Sequence, residues 1–299
     1  MGRIDPVNAP ETGNPNVGYY PGCALKGSSP EYDMSVRAVS EALGRELREI
    51  DDWNCCGASA GHMTDRKLAV CLSLRNLALA ERQGMESILA PCPMCSKELL
   101  VAADAVATDP EARREAEETI EMSYKGGVRT LNYIQYLTEI GLEALHGKLT
   151  TELRGLKVAC YYGCLLTRPP KVLRFDDYEQ PESFERIVAL LGAEPVEFSH
   201  KTECCGGGFT QSHSAAVVRL CGRILSSAKS AGADAVAVAC PMCHINLDMR
   251  QPAAEKELGV ELGLPIVYLS QLVGLALGIE RKKLGLNRHF ISTAGVKGA

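Results

Sequence analysis

Cysteine is the residue type in this 299-residue sequence that is most able to do chemistry, and ten of the thirteen cysteines form two similar sets. Each set has a single cysteine, then an adjacent pair, then two cysteines separated by two residues. The spacing is Cys-x31-Cys-Cys-x35-Cys-x2-Cys in the first set and Cys-x39-Cys-Cys-x34-Cys-x2-Cys in the second. The first set is Cys23, Cys55, Cys56, Cys92 and Cys95, and the second set is Cys164, Cys204, Cys205, Cys240 and Cys243.

Five thiols in each set are more than a simple metal site requires. A structural zinc ion takes four ligands, usually from two close pairs, and a cubane iron–sulfur cluster also takes four thiolates. Five thiolates, two of them adjacent in sequence, favour a polynuclear iron–sulfur cluster in which some thiolates bridge two irons. Gly57, Gly206 and Gly207 follow the adjacent pairs, so they are candidates to bring backbone N–H groups close to a cluster. A tight turn explains these glycines equally well.

The other three cysteines lie outside both sets. Cys71 and Cys221 fall within predicted helices, where we interpret them as buried and inert. Cys160 lies in a predicted strand. We interpret it as a core residue, and the alternative is that it is a neighbour or redox partner of a cluster.

Three histidines lie close to the cysteine loops. His62, His213 and His244 are candidate catalytic residues, because a departing thiolate needs a proton. A structural role is the simpler interpretation of each. Tyr20 and Tyr162 precede Cys23 and Cys164 and are expected at equivalent places, in the cleft or in the core.

The elements that must position the cysteines are also repeated. Val17–Cys23 resembles Val158–Cys164, and equivalent cysteines are 141, 149 and 148 positions apart. Strand-like segments alternate with helix-like segments in both halves, such as a predicted strand over Lys157–Tyr161 and predicted helices over Met63–Arg82 and Ser214–Ser230. The charged segment Asp109–Glu121 is interpreted as a solvated helix or an excursion between motifs. This alternation predicts an α/β fold of two similar parallel halves, with the cysteine loops at the carboxyl ends of the strands. We predict an N-terminal extension at 1–16 and two cysteine-rich domains at 17–150 and 151–299.

The composition restricts the class of protein. Hydrophobic residues make up 46% of the chain and charged residues 23%, which excludes disorder as the main state. The net charge is −5 with both signs interspersed, so a nucleic-acid partner is not indicated. The sequence predicts neither a signal peptide nor a transmembrane segment, and we expect a cytoplasmic protein in a reducing compartment.

The motifs resemble those of the B subunit of heterodisulfide reductase, which has two CCG cysteine-rich domains. The resemblance runs from about Val17 to Phe290 and is carried by Tyr19-Tyr-Pro-Gly-Cys23, Asp52-Trp-Asn-Cys-Cys-Gly57, Cys92-Pro-Met-Cys95 and Cys240-Pro-Met-Cys-His244. It implies two noncubane [4Fe–4S] clusters, one held by each cysteine set, which cleave or form a disulfide or sulfur-carrier thiol bond between them. It also implies two partners, a ferredoxin-like C subunit and a flavoprotein A subunit. The substrate and the direction of the reaction stay open.

Two other functions fit parts of the pattern. Cys-Pro-Met-Cys between a strand and a helix resembles the redox pair of a metal-free dithiol oxidoreductase, although the adjacent pairs then have no role. A passive electron-transfer or anchoring subunit of a dehydrogenase complex is the third hypothesis. Intact cysteine sets in both halves argue against a merely structural role.

Overall fold

The computed structural model describes residues 16–297, so the predicted extension at 1–16 lies outside the described residues except for Asn16. The first half alternates four strands with helices. Its elements are β1 (Asn16–Tyr19), α1 (Gly22–Lys26), α2 (Pro30–Ala42), β2 (Glu46–Glu49), α3 (Ala60–Thr64), α4 (Arg66–Arg82), β3 (Ser87–Leu89), α5 (Pro93–Thr108), α6 (Pro110–Ile120), β4 (Arg129–Leu131), α7 (Tyr133–Ile140) and α8 (Leu142–His146).

The second half repeats this order with small differences. Its elements are β5 (Lys157–Tyr161), α9 (Pro170–Leu173), α10 (Ser183–Leu190), β6 (Glu194–Val196), α11 (Ser214–Ser230), β7 (Ala235–Val238), α12 (Pro241–Met249), α13 (Gln251–Leu258), β8 (Ile266–Tyr268) and α14 (Leu269–Ala276). Short 3-10 turns lie at Gly207–Phe209 and Leu286–Arg288.

The strands form two parallel four-stranded sheets with matching topology. The first has the order β2-β1-β3-β4 and the second β6-β5-β7-β8. All described pairings within them are parallel. Strand β7 is buried along its whole length, as expected for a parallel strand covered on both faces. The predicted α/β fold of two similar halves is therefore confirmed.

Equivalent helices begin in the same way in both halves. Cys92 and Cys240 are the N-cap residues of α5 and α12, and both have extended backbones. The next residue is proline in each case, which disfavours helical conformation in the residue before it and is itself well suited to the first helical position. This local chemistry places the first cysteine of each Cys-Pro-Met-Cys segment at a strand–helix junction.

The two halves join through α2 and α14. The rings of Tyr32 and Tyr268 stack with their centroids 4.1 Å apart and an angle of 4° between their planes. The Ser35 and Ser270 hydroxyls lie 2.6 Å apart and are buried. Helix α9 of the second half also packs against α5 of the first. These contacts hold the two halves together so that the carboxyl ends of the strands in one sheet lie next to those in the other.

Some boundaries differ from those predicted. The helix expected over Met63–Arg82 is two helices, because the extended backbone of Asp65 separates them and its carboxylate accepts a hydrogen bond from the Lys67 N–H group. Of the two interpretations of the charged segment, the helix is present as α6, which begins where the Asp109 side chain caps two backbone N–H groups. Strands β4 and β8 were not expected, since each has only three residues.

Candidate metal centre

The ten cysteines of the two sets follow the carboxyl ends of six strands. Cys23 lies on α1 after β1, the first adjacent pair lies in the loop after β2, and Cys92 and Cys95 follow β3. The second set has the same relation to β5, β6 and β7. Because the carboxyl ends of parallel strands meet at one edge of a sheet, cysteines far apart in sequence are brought together.

The thiols within each set are in contact. In the first set, the Sγ atoms of Cys23 and Cys55 are 3.9 Å apart, and those of Cys56 and Cys95 are 3.5 Å apart. In the second set, the Sγ atoms of Cys205 and Cys243 are 3.6 Å apart. The Cys164 and Cys204 thiols line the same cavity, and each shifts the pKa of the other.

The two sets also meet each other. Cys92 of the first set lies close enough to Cys240 of the second for each thiol to shift the pKa of the other, and each thiol also acts on its partner in the same Cys-Pro-Met-Cys segment. A cavity of about 70 Å³ adjoins this contact and is lined by all five cysteines of the second set. Its apolar walls come from both halves: Pro93, Met94, Leu165 and Met242. The ten thiols thus form one continuous site between the halves.

Each set has an open side and a closed side. Cys23, Cys55 and Cys204 are exposed, whereas both cysteines of each Cys-Pro-Met-Cys segment are buried. The buried thiols lie where the sets touch. Any group held by a set is therefore screened from water at the middle of the site and accessible at its outer rim.

Neighbouring thiols and backbone N–H groups favour thiolate forms at several positions. Hydrogen bonds from Cys55 and Cys95 lower the pKa of Cys56 to about 3. A hydrogen bond from Cys164, together with N–H groups of the following glycines, lowers the pKa of Cys204 to about 6. The pKa of Cys205 is lowered mainly by its contact with Cys243. A thiolate is the form of cysteine that binds metal. Each adjacent pair therefore contains at least one cysteine whose lowered pKa favours the metal-binding form.

A glycine and a tyrosine support each site in the same way. Gly22 and Gly163 have positive φ angles of 67° and 65°, and a Cβ atom there would lie 2.8 Å from the Cys95 Sγ and 3.1 Å from the Cys243 Sγ. The Tyr20 hydroxyl donates to the Asn54 carbonyl at 2.7 Å.

The tyrosine that corresponds to Tyr20 in the second half is Tyr161. The Tyr161 hydroxyl donates to the Glu203 carbonyl at 2.7 Å, so the expected pairing of Tyr20 with Tyr162 was wrong by one position. Alignment on the glycine before each first cysteine would have shown this. Tyr162, which corresponds to Pro21, lines the cavity.

Tyr162 belongs to a buried polar network behind the second set. Its hydroxyl donates to the carboxylate of Glu185, whose pKa is raised by burial. The Lys201 ammonium donates to that carboxylate at 3.0 Å and to the Pro181 carbonyl at 2.9 Å. This network was missed because Glu185 is far from any cysteine motif in the sequence, and nothing marks Lys201, three residues before Cys204, as its partner.

The glycines after the adjacent pairs approach the thiols. The Gly206 N–H group donates to the Cys204 Sγ at 3.3 Å. The backbone N–H groups of Gly57 and Gly207 also act to lower the pKa of Cys55 and Cys204, respectively. Gly57 and Gly206 have positive φ angles of 76° and 82°, which glycine adopts without strain. Their contact with cluster sulfides stays a prediction.

The candidate histidines have different environments. His62 and His213 are exposed at the ends of the loops that follow the adjacent pairs. His244 is buried, and its ring stacks on Tyr268 with a centroid separation of 4.4 Å. The His244 Nε2 and His289 Nδ1 atoms are 2.9 Å apart. Burial lowers the pKa of His244 well below its usual value, so the ring is neutral.

The three cysteines outside the sets are buried. Cys221 donates to the backbone carbonyl of Cys205, with its Sγ atom 3.7 Å from the oxygen. Burial raises the pKa of Cys221 to about 12 and that of Cys160 well above its usual value. Protonated thiols of this kind are poor metal ligands and poor nucleophiles.

The chain thus consists of two parallel α/β halves that share a site of ten thiols, which is the arrangement of a pair of cysteine-rich domains. Comparison with known proteins gives the same class. The CCG cysteine-rich domain family matches twice, at residues 17–99 and 158–248. These matches cover more than half of the chain. The protein therefore belongs to the CCG cysteine-rich domain family, with the B subunit of heterodisulfide reductase among its relatives.

Individual relatives align over nearly their whole length. The membrane anchor subunit of 8-methylmenaquinol:fumarate reductase from Wolinella succinogenes is 37% identical over 280 residues, which is 91% of this chain and 96% of the relative. The B subunit of a ferredoxin/F420H2-dependent CoB–CoM heterodisulfide reductase from Methanosarcina acetivorans is 32% identical, with 90% and 92% covered. A protein from Archaeoglobus profundus that is described as similar to the heterodisulfide reductase B subunit is 28% identical, with 89% and 92% covered.

A solved structure has a similar fold. A hypothetical protein from Helicobacter pylori superposes with a TM-score of 0.73 at 14% identity. The match covers 97% of this chain but 53% of that protein, so the chain spans about half of its length. Within residues 16–297, no helix is both long and apolar enough to cross a membrane.

Proposed function

We propose that this protein is an iron–sulfur oxidoreductase subunit in which two noncubane [4Fe–4S] clusters, one per cysteine set, cleave or form a disulfide between them. The observation that carries the proposal is the convergence of all ten motif thiols on one site, with Cys92 and Cys240 in contact across the halves. Kinship with the B subunit of heterodisulfide reductase supports the same assignment.

The residues present fit such clusters. The five thiols of the second set line one cavity, and thiolates are the usual ligands of iron–sulfur clusters. Gly22 and Gly163 leave open the space beside Cys95 and Cys243 that a Cβ atom would occupy. The first set would hold one cluster and the second set the other, and bound clusters would supply single electrons and iron atoms able to bind sulfur.

The chain's own residues fit the overall reaction, in which a disulfide, two electrons and two protons give two thiols. The apolar walls formed by Met94, Leu165 and Met242 keep water from the middle of the site. Delivering electrons to a disulfide one at a time produces sulfur radicals, and a site that excludes water limits their side reactions. Two similar sets on either side of one substrate match the two sulfur atoms that must be separated.

Electrons must come from a partner. The sequence contains no Cys-x2-Cys-x2-Cys-x3-Cys ferredoxin run and no Gly-x-Gly-x-x-Gly flavin fingerprint. We therefore propose that a ferredoxin-like C subunit and a flavoprotein A subunit are its partners in a cytoplasmic complex. The exposed outer cysteines, Cys23, Cys55 and Cys204, indicate where an electron carrier could approach most closely.

Iron analysis of cysteine variants tests this proposal. Cys56→Ser and Cys205→Ser should each remove about half of the iron and sulfide, because each variant disrupts one set, and should abolish disulfide reduction. Cys71→Ser is the matched control, since that thiol is buried in α4 outside the sets, and it should retain wild-type iron. Full iron in both set variants would contradict the ligand assignment.

A second candidate is an electron-transfer or anchoring subunit of a respiratory reductase. The 37% identity to a membrane anchor subunit of a fumarate reductase favours it. This candidate predicts that the purified protein associates with membrane vesicles and that disulfides leave its paramagnetic resonance spectrum unchanged. The disulfide hypothesis predicts a new signal when a suitable disulfide or thiol is added to the oxidised or reduced protein.

A further inference from the structure

The two cysteine sets differ in a buried side chain one helical turn beyond the Cys-Pro-Met-Cys segment. Asn246 on α12 is fully buried, and its Nδ2 atom lies 3.6 Å from the Cys205 Sγ and 3.4 Å from the Cys205 carbonyl oxygen. Its Oδ1 atom accepts from the Thr210 hydroxyl at 3.0 Å and from the Arg250 Nε at 3.4 Å.

The orientation of the Asn246 amide is fixed by its partners. Arg250 can only donate, so the amide oxygen must face the guanidinium group. The NH2 group then faces Cys205, where it can donate to the sulfur. The Arg250 guanidinium is held in place by a second hydrogen bond, from its Nη2 to the Thr210 carbonyl at 2.8 Å. The positive charge of Arg250 therefore lies on the oxygen side of the Asn246 amide, opposite the NH2 group that faces Cys205.

The first set has a carboxylate at the corresponding position. Helices α5 and α12 both begin at the proline of the Cys-Pro-Met-Cys segment, so Glu98 is three residues after Cys95 as Asn246 is three residues after Cys243. Glu98 is buried and paired with the Lys97 ammonium. An ionised carboxylate cannot donate a hydrogen bond. Since Lys97 balances its charge, the main difference is the missing donor.

Backbone N–H groups next to the adjacent pairs act on thiols of both sets, so they do not by themselves distinguish the sets. The Asn246 amide is the additional donor beside the second set. Hydrogen bonds to cluster thiolates favour the reduced, more negative state and so raise the reduction potential.

We propose that Asn246 and Glu98 make the two centres electronically unequal, so that the centre held by the second set has the higher reduction potential and is reduced first. This inference rests on the proposed clusters and assigns Asn246 as a residue that tunes one of them. An unequal pair would give the one-electron steps a fixed order, with the first electron stored on the second set.

A redox titration of the iron-loaded full chain without substrate, followed by paramagnetic resonance, tests this inference. The wild-type protein should show two transitions. Asn246→Asp, which keeps the side-chain shape but removes the donor, should lower the higher potential and leave the lower one unchanged. Asn246→Leu should shift the same transition in the same direction without adding charge. Glu98→Asn, which introduces a donor in the first set, should raise the lower potential.

Iron content separates the two ways in which the inference can fail. Absence of iron from the wild-type protein would overturn the proposed function and this inference with it. Normal iron in the Asn246 and Glu98 variants, with both midpoint potentials unchanged, would overturn the inference alone. A single transition shared by both centres of the wild-type protein, or a shift of the lower potential by the Asn246 variants, would do the same.

Discussion

At the scale of single residues, Gly22 is a position where one substitution should affect the proposed first centre. Its positive φ angle of 67° costs an L-residue about 1 kcal/mol or more, and a Cβ atom there would be 2.8 Å from the Cys95 Sγ. Gly22→Ala should therefore destabilise the fold by roughly 1–2 kcal/mol and also displace the Cys95 thiol. We expect the iron content of the first centre to fall while that of the second stays normal.

Gly84→Ala is the matched control for that variant. Gly84 has a similar φ angle of 72°, but nothing lies within 4 Å of a Cβ atom at that position. It should show the backbone cost in a urea unfolding curve and retain full iron. Equal iron contents in the two variants would show that the space beside Cys95 is not needed by the centre.

His289 provides a pH-dependent test of the buried histidine pair. Burial lowers the pKa of His289 from 6.5 to about 4, so the folded protein holds it neutral where the unfolded chain takes up a proton. The free energy of unfolding should therefore fall as the pH decreases from 6.5 towards 4. The contribution of this one group is about 1.4 kcal/mol per pH unit at most.

His289→Asn removes the titrating ring and keeps a donor for the Ile266 carbonyl, which the His289 Nδ1 atom contacts at 2.8 Å. Unfolding free energies of both proteins should be measured by urea titration at about pH 7, 6 and 5. The difference between wild type and variant should shrink towards low pH. A constant difference across that range would contradict a neutral buried His289.

At the scale of elements, the α2–α14 contact aligns the two sheets. The Ser35 and Ser270 hydroxyls are 2.6 Å apart and buried, so removing either leaves the other with one fewer partner. A double-mutant cycle of Ser35→Ala and Ser270→Ala should give a coupling energy of about 1 kcal/mol in unfolding free energy. A coupling energy indistinguishable from zero would mean that this hydrogen bond does not join the halves.

The sequence predicts most of the elements because the apolar pattern has strong periods. Lys157–Tyr161 and Ser214–Ser230 have the predicted bounds. The break at Asp65 was not predicted, because the apolar spacing continues through it and only the capping geometry reveals the boundary. The short strands β4 and β8 were missed because three residues are too few to show a pattern of alternation.

At the scale of the whole molecule, the internal repeat predicts that the cysteines of each set lie close together. In both halves the cysteines follow the carboxyl ends of strands, and those ends meet at one edge of a parallel sheet. The repeat does not predict how the halves face each other. The contact of Cys92 with Cys240 depends on the Tyr32–Tyr268 stack and the packing of α9 on α5, which join residues far apart in the chain. Contacts of this range leave no local signal in a sequence.

The duplication is also incomplete in ways that matter for chemistry. Tyr162, Glu185 and Lys201 form a buried network beside the second set. The first-half counterpart of Tyr162 is Pro21, which has no hydroxyl group to make the corresponding hydrogen bond. Asn246 and Glu98 differ in the same manner. Two halves with one fold therefore offer different environments to two similar sets of five cysteines.

The central claim is that two iron–sulfur centres lie side by side in this one chain, and the magnetic interaction between them tests it most directly. With both centres paramagnetic, the wild-type spectrum should show spin–spin splitting or broadening, because the two sets touch at Cys92 and Cys240. Cys205→Ser, which should retain only the first centre, should give a single unsplit signal. Two independent signals without any interaction in the wild-type protein would contradict the account.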